Sequence, residues 1–172
     1  TATNLMLKTG ANLAIGSDAN GDMYYRAAGV LARLAKGTAN HKLFMNAGAT
    51  APEWAKGMKL LSATYDLATA SGNQDITGAG FLPSMVLGFA NVNALYPMSI
   101  GLYDGTSTLG LHDYYGVTIH TYTANNNFFQ PIINSGAYQN CSCSFISDGV
   151  RLSWNKTGSP TGTLKIYLLC FR

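Results

Sequence analysis

Glutamate is nearly missing from this 172-residue chain, Glu53 being the only one. Long solvent-facing helices draw heavily on glutamate, so its scarcity argues against them. Charge of either sign is thin, at 11% of residues, where soluble globular domains carry roughly 25%. A chain this short of solvating groups is expected to have much of its surface covered by other chains. From Leu60 to Val150 there is no lysine or arginine at all. Long apolar runs are also lacking: no stretch of about eighteen apolar residues is available to span a membrane as a helix. Thr1–Gly10 lacks the charged start and apolar stretch of a secretion signal. Cysteine is limited to Cys141, Cys143 and Cys170. The first two are two residues apart, facing one side of a strand, and a disulfide between them would be strained. All three are read as reduced, partly buried thiols.

What is present points to β-structure. Hydrophobic residues make up 47% of the chain, which excludes wholesale disorder. Nineteen glycines and ten tyrosines, with many Thr, Ser and Asn, suit short strands joined by tight turns. The charge that exists is uneven. Residues 1–59 hold seven cations against three carboxylates, a net of +4, whereas residues 60–172 have a net of −1. The basic residues stand singly, without the clustering and aromatic interleaving of a nucleic-acid face, so an acidic protein surface is the expected partner, with a plain solvated basic face as the alternative, and nucleic acid is not.

The composition divides the chain into a segment 1–59 and a domain 60–172. Residues up to about Asp22 have no periodicity and read as an extended leader. Short strands are expected at Met23–Ala27, Val30–Ala35 and Lys42–Asn46, with Gly21-Asp22, Gly29, Gly37-Thr38 and Gly48 as turns. A single helical turn competes within Gly29–Gly37, where flanking glycines favour the strand. The stretch Ala49–Trp54 breaks the pattern. Three five-residue strands cannot bury a core, so this arm is expected to pair with another copy or with a host surface.

Beyond Leu60 the pattern alternates. Strands are expected at Lys59–Asp66, Ser84–Asn91, Met98–Tyr103, Val117–Thr123, Gln139–Ile146, Gly149–Asn155 and Thr163–Phe171, with turns at Ser71-Gly72-Asn73, Gly78-Ala79-Gly80, Asp104-Gly105-Thr106, Ser147-Asp148-Gly149 and Thr157-Gly158-Ser159-Pro160. Seven short strands at this spacing predict an antiparallel β-sandwich, jelly-roll-like. The last two strands read as a hairpin that carries Trp154 into a core with the terminal strand.

The run Gly21-Asp22-Met23-Tyr24-Tyr25-Arg26-Ala27-Ala28-Gly29-Val30-Leu31-Ala32-Arg33-Leu34, followed by Gly37-Thr38, Leu43 and Pro52-Glu53-Trp54, resembles a motif of bacteriophage tail-fibre and other virion-surface proteins. The resemblance covers roughly residues 16–57. More loosely, Thr77-Gly78-Ala79-Gly80-Phe81-Leu82-Pro83, Ser99-Ile100-Gly101-Leu102-Tyr103-Asp104-Gly105-Thr106 and the end from Ser147-Asp148-Gly149-Val150 resemble a terminal β domain of phage structural proteins. The resemblance implies a homotrimer located on the virion, partnered by itself and by other virion proteins such as the capsid, with no catalytic residues. Fibre proteins are long and repetitive, and this chain shows one arm motif and one domain, which favours a capsid decoration or head-fibre protein; the alternative is a tail-fibre tip or receptor-binding protein. The arm residues expected to carry attachment or oligomer contacts are Tyr24, Tyr25, Arg26, Leu31, Arg33, Leu34, Leu43 and Trp54. Arg26 and Arg33 suit carboxylates or carbonyls across an inter-chain seam, and Trp54 is either a plug between arm and domain or an ordinary core aromatic.

Enzyme chemistry finds no foothold, and no enzyme, metal or cofactor is expected. His41, His112 and His120 are dispersed, with no HExxH and no zinc spacing. His112-Asp113 reads as a surface loop pair. Asp22, Asp104 and Asp148 adjoin glycine, as in turns. One stretch, Leu109–Phe129, gathers aromatic and amide side chains: His112, Tyr114, Tyr115, His120, Tyr122, Asn125, Asn126, Asn127, Phe128 and Phe129. Such material at loop tips recognises carbohydrate or protein. A candidate recognition loop of His112, Tyr114, Tyr115, Asn125, Asn126 and Asn127 follows, with a host surface glycan as candidate ligand. The competing reading places the tyrosines on a sandwich face and the Asn run in a turn.

Overall fold

A computed structural model describes residues 19–46, 48–92, 95–113, 119–123, 127–134 and 136–172. Every regular element in them is a β-strand. The chain divides at Lys56/Gly57 into two units, Thr1–Lys56 and Gly57–Arg172.

The described residues of the first unit form two hairpins. β1 (Met23–Ala27) pairs antiparallel with β2 (Val30–Leu34) across Ala28-Gly29. Both turn residues have positive φ, 47° and 86°, the two-residue geometry that matches strand twist. Each of the two strands thus has one antiparallel neighbour within the unit. β3 (Lys42–Met45) pairs with β4 (Pro52–Ala55). The stretch Ala49–Trp54 does not simply break the pattern, as expected, because Pro52 occupies the first position of an edge strand, where its missing N–H is tolerated.

Among the described residues, the second unit holds ten strands in two antiparallel sheets. The six-stranded sheet runs β10 (Ile119–Thr123), β9 (Thr108–Asp113), β8 (Leu95–Tyr103), β7 (Met85–Val92), β14 (Thr163–Phe171) and β5 (Met58–Asp66). The four-stranded sheet runs β11 (Ile132–Asn134), β12 (Ala137–Ile146), β13 (Gly149–Thr157) and β6 (Gly72–Thr77). Their facing sides fill one sandwich-like core. Leu164, Ile166 and Leu168 of β14 and Val86 of β7 meet Val150, Leu152 and Trp154 of β13 and Cys141 of β12 there, each 3% exposed or less.

Three sequence expectations change. β13 and β14 do not form a hairpin: β13 pairs with β12 and β6, and β14 with β5 and β7. Alternation in both strands marks a buried face, and the two faces meet across the core instead of side by side. Trp154 is nevertheless in that core, stacked on Tyr65 with ring centroids 4.2 Å apart. Ser71-Gly72-Asn73 is not wholly a turn, because Gly72 begins β6 and pairs with Trp154. β9 and β11 were not expected; their short Thr-Leu-Gly and Ile-Ile-Asn patterns carry little alternation.

A row of glycines shapes the core. Gly88, Gly101 and Gly110 stand directly opposite one another on β7, β8 and β9. A β-carbon on Gly88 would come within 2.6 Å of the Phe128 ring, and one on Gly101 within 2.5 Å of the Phe128 carbonyl oxygen. On Gly110 it would lie 2.5 Å from the Asn127 carbonyl oxygen. The row is thus a trough in which residues 127–129 lie, a close backbone approach that only glycine permits. On its other side the same segment joins β12: Phe128 N donates to Cys141 O at 2.5 Å, and Cys141 N to Phe129 O at 2.9 Å.

Candidate functional site

The arm residues are set by the registers of the two hairpins. Tyr24 stands opposite Arg33, and Arg26 opposite Leu31, so these four share one face of the first hairpin; Tyr25 and Leu34 lie on the other. Leu43 stands opposite Trp54 in the second hairpin. Six of the eight are paired in this way, while Tyr25 stands opposite Ala32 and Leu34 opposite Met23.

Within the unit, Arg33 is held by Asp22. Arg33 Nε donates to Asp22 Oδ2 at 2.7 Å. The Asp22 carboxylate also accepts from Ala19 N at 2.7 Å and Lys36 N at 2.8 Å. The Ala19 amide first, then the Lys36 amide and Arg33, hold its pKa below the ordinary aspartate value against some desolvation. Asp22 thereby clasps both ends of the first hairpin. Arg26 is exposed.

Trp54 is half-buried, with a role inside its own unit. Its indole Nε1 donates to Ala35 O at 2.9 Å. A β-carbon on Gly37 would lie 2.7 Å from the indole ring, so Gly37 serves as the seat for the tryptophan. The indole thereby ties the second hairpin to the segment that follows the first.

Apolar exposure in this unit is high. No apolar residue in 19–46 or 48–56 is buried, while Val30 is 65%, Met45 54% and Leu31 50% exposed. Two-stranded hairpins without a core are marginal in water.

The candidate recognition loop fares differently. Tyr114, Tyr115, Asn125 and Asn126 lie outside the described residues. His112 is not on a surface loop: it sits within β9 at 1% exposure, opposite Ser99 of β8. Its Nδ1 is 3.2 Å from Ser99 Oγ, which also accepts from Gln130 N at 3.2 Å. Desolvation lowers the imidazole pKa to about 4, so at neutral pH the ring is uncharged. Asn127 is half-buried, its amide 3.4 Å from Gln130 Oε1. Phe128 and Phe129, counted in the same stretch, are completely buried. The stretch reads as surface material in sequence because its aromatics lack alternation; the glycine trough is the signal that assigns its end to the core.

Two pieces of the looser resemblance meet in space. Asp148 accepts from Gly78 N at 3.0 Å and Gly80 N at 2.5 Å, pinning the Thr77–Gly80 loop to the turn between β12 and β13. Asp104 accepts from Thr106 N at 2.9 Å and Ser107 N at 2.6 Å, closing the β8–β9 turn. Both carboxylates therefore serve turns. The three cysteines are free and buried. Burial drives the Cys141 and Cys143 thiols up and that of Cys170 to about 11, which keeps them protonated and unreactive.

The two sheets of the second unit differ on their outer faces. On the four-stranded sheet Asp75 lies opposite Arg151 and Ser153 opposite Asn73, and Arg151 grips Asp75 with two bonds of 2.6 and 2.7 Å. That is an ordinary solvated face. The outer face of the six-stranded sheet is apolar: Leu60 is 60%, Met58 55%, Tyr167 46% and Phe89 44% exposed. No protein-family model, curated protein or solved structure matches this chain.

Proposed function

We propose that this chain is a non-enzymatic structural protein of the bacteriophage virion surface, a homotrimeric capsid decoration or head-fibre protein anchored through its N-terminal segment. The observation that carries this reading is the first unit, two hairpins with no buried apolar residue among the described ones and with Val30, Leu31 and Met45 open to solvent. Such a segment gains stability by laying its apolar side chains on a partner. It is also the segment that resembles the virion-surface motif. The low charge of the whole chain and the apolar sheet face favour a protein that works within an assembly.

Copy number on purified particles tests the reading. Gel densitometry against the major capsid protein should give hundreds of copies per particle. A dozen or fewer would favour the fibre tip instead, and absence from the particle would end the virion reading altogether.

A further inference from the structure

The outer face of the six-stranded sheet is ordered in rows. Strand register places Leu60, Leu169, Leu87, Leu102 and Leu109 side by side across β5, β14, β7, β8 and β9. The neighbouring row sets Tyr167, Phe89, Ile100 and Leu111 side by side. On the other flank Met58, Phe171 and Met85 form a third. Residues on one face of a sheet alternate with those on the other, and the inner positions of the same strands already fill the core. This sheet is therefore apolar on both sides, as a sheet is when both faces are covered.

The geometry points to this outer face as the surface through which copies of this chain associate. With strands about 4.8 Å apart and rows about 6.8 Å apart, the twelve apolar positions of these rows cover roughly 390 Å² in plan. A stable interface buries about 800 Å² per partner, and about 65% of a homodimer interface is apolar, which is roughly 520 Å². The rows supply about three-quarters of that apolar area as one contiguous patch, of the size that marks interaction sites. Charge favours a copy as the occupant. Among the described side chains, the face carries charge only toward one end, at Lys165 and Asp66. A basic or acidic partner finds nothing to pair with along the three rows, whereas identical uncharged faces meet without repulsion. The polar outer face of the four-stranded sheet shows what this fold presents where it meets water.

This inference rests on the self-association in the proposed function but not on the virion location. The test is the solution mass of the full chain by light scattering at micromolar concentration. The wild type should be an oligomer, and Phe89→Lys and Leu60→Lys should each reduce it to a single chain with native strand content by circular dichroism. A monomeric wild type, or variants that keep the wild-type mass, would overturn the inference. Should the lysine variants not fold, thiol labelling decides, because the native cysteines are buried. Leu60→Cys should be protected from maleimide in the assembly, and Ser144→Cys, on the polar sheet, should label freely. Equal labelling at both positions, or protection at position 60 in a monomer, would overturn it. A monomer still found on particles would remove this surface and leave the virion reading standing; an oligomer dispersed by Phe89→Lys but absent from particles would do the reverse.

Discussion

Phe128 lies across Gly101, its carbonyl oxygen 2.5 Å and its ring 2.6 Å from where a β-carbon would stand. The contact joins a strand of the six-stranded sheet to a segment that also hydrogen-bonds Cys141 of the four-stranded one. Gly101→Ala should therefore overpack the core and lower stability by about 1–3 kcal/mol. Urea denaturation with an unchanged slope and a lower midpoint is the expected result. Leu102→Ala, on the outer face next to it, should cost a monomeric form less.

The stack of Trp154 on Tyr65 closes the other end of the core. Trp154 also donates from Nε1 to Gln74 Oε1 at 3.1 Å, and Gln74 in turn donates to Thr64 O at 2.9 Å. Trp154→Ala should cost about 3–5 kcal/mol, as large aromatic deletions do. Trp54→Ala should leave the melting of residues 57–172 unchanged, since its bond to Ala35 and its seat on Gly37 belong to the first unit.

Asp22→Ala should strip three donors of their acceptor at once: Ala19 N, Lys36 N and Arg33 Nε. Amide exchange at Lys36 should accelerate while exchange in β14 stays as it was. Retained protection at Lys36 would show that the clasp contributes nothing.

Acid should weaken the protein before its carboxylates titrate. His112 has a folded pKa of about 4 against an ordinary 6.5, so between those values the unfolded chain takes up a proton that the folded one refuses. Stability from this group is complete above pH 6.5 and falls as pH drops toward 4. The lowered carboxylates Asp22, Asp75 and Asp104 act in a separate window: their contribution is present above the ordinary aspartate value of 3.8 and is lost as pH falls through their lower folded values. Urea midpoints at pH 7 and pH 5 should differ for the wild type, and the difference should shrink in His112→Gln.

How far the sequence was legible follows from what alternation encodes. Leu61 and Tyr65, or Leu164, Ile166 and Leu168, announce a strand and its buried face, and the all-β architecture was readable from such runs. Partners are another matter. Val150, Leu152 and Trp154 alternate as β14 does, yet the two strands face each other across the core, because pattern specifies a face and not a neighbour. Strands rich in glycine and polar residues were hidden: the start of β6 read as a turn, and His112-Asp113 at the end of β9 as a surface loop pair. The outer rows of leucine were present as Leu60, Leu87, Leu102, Leu109 and Leu169, but only the register sets them side by side. The bond of Arg33 to Asp22 was not legible either, because the two are eleven residues apart in sequence and meet only once the hairpin closes.

The most direct test of the account is the place of the chain in a low-resolution image of the phage particle. Density for the chain should stand on the outside of the shell in clustered copies. A particle whose image is unchanged when the gene for this chain is deleted would contradict it.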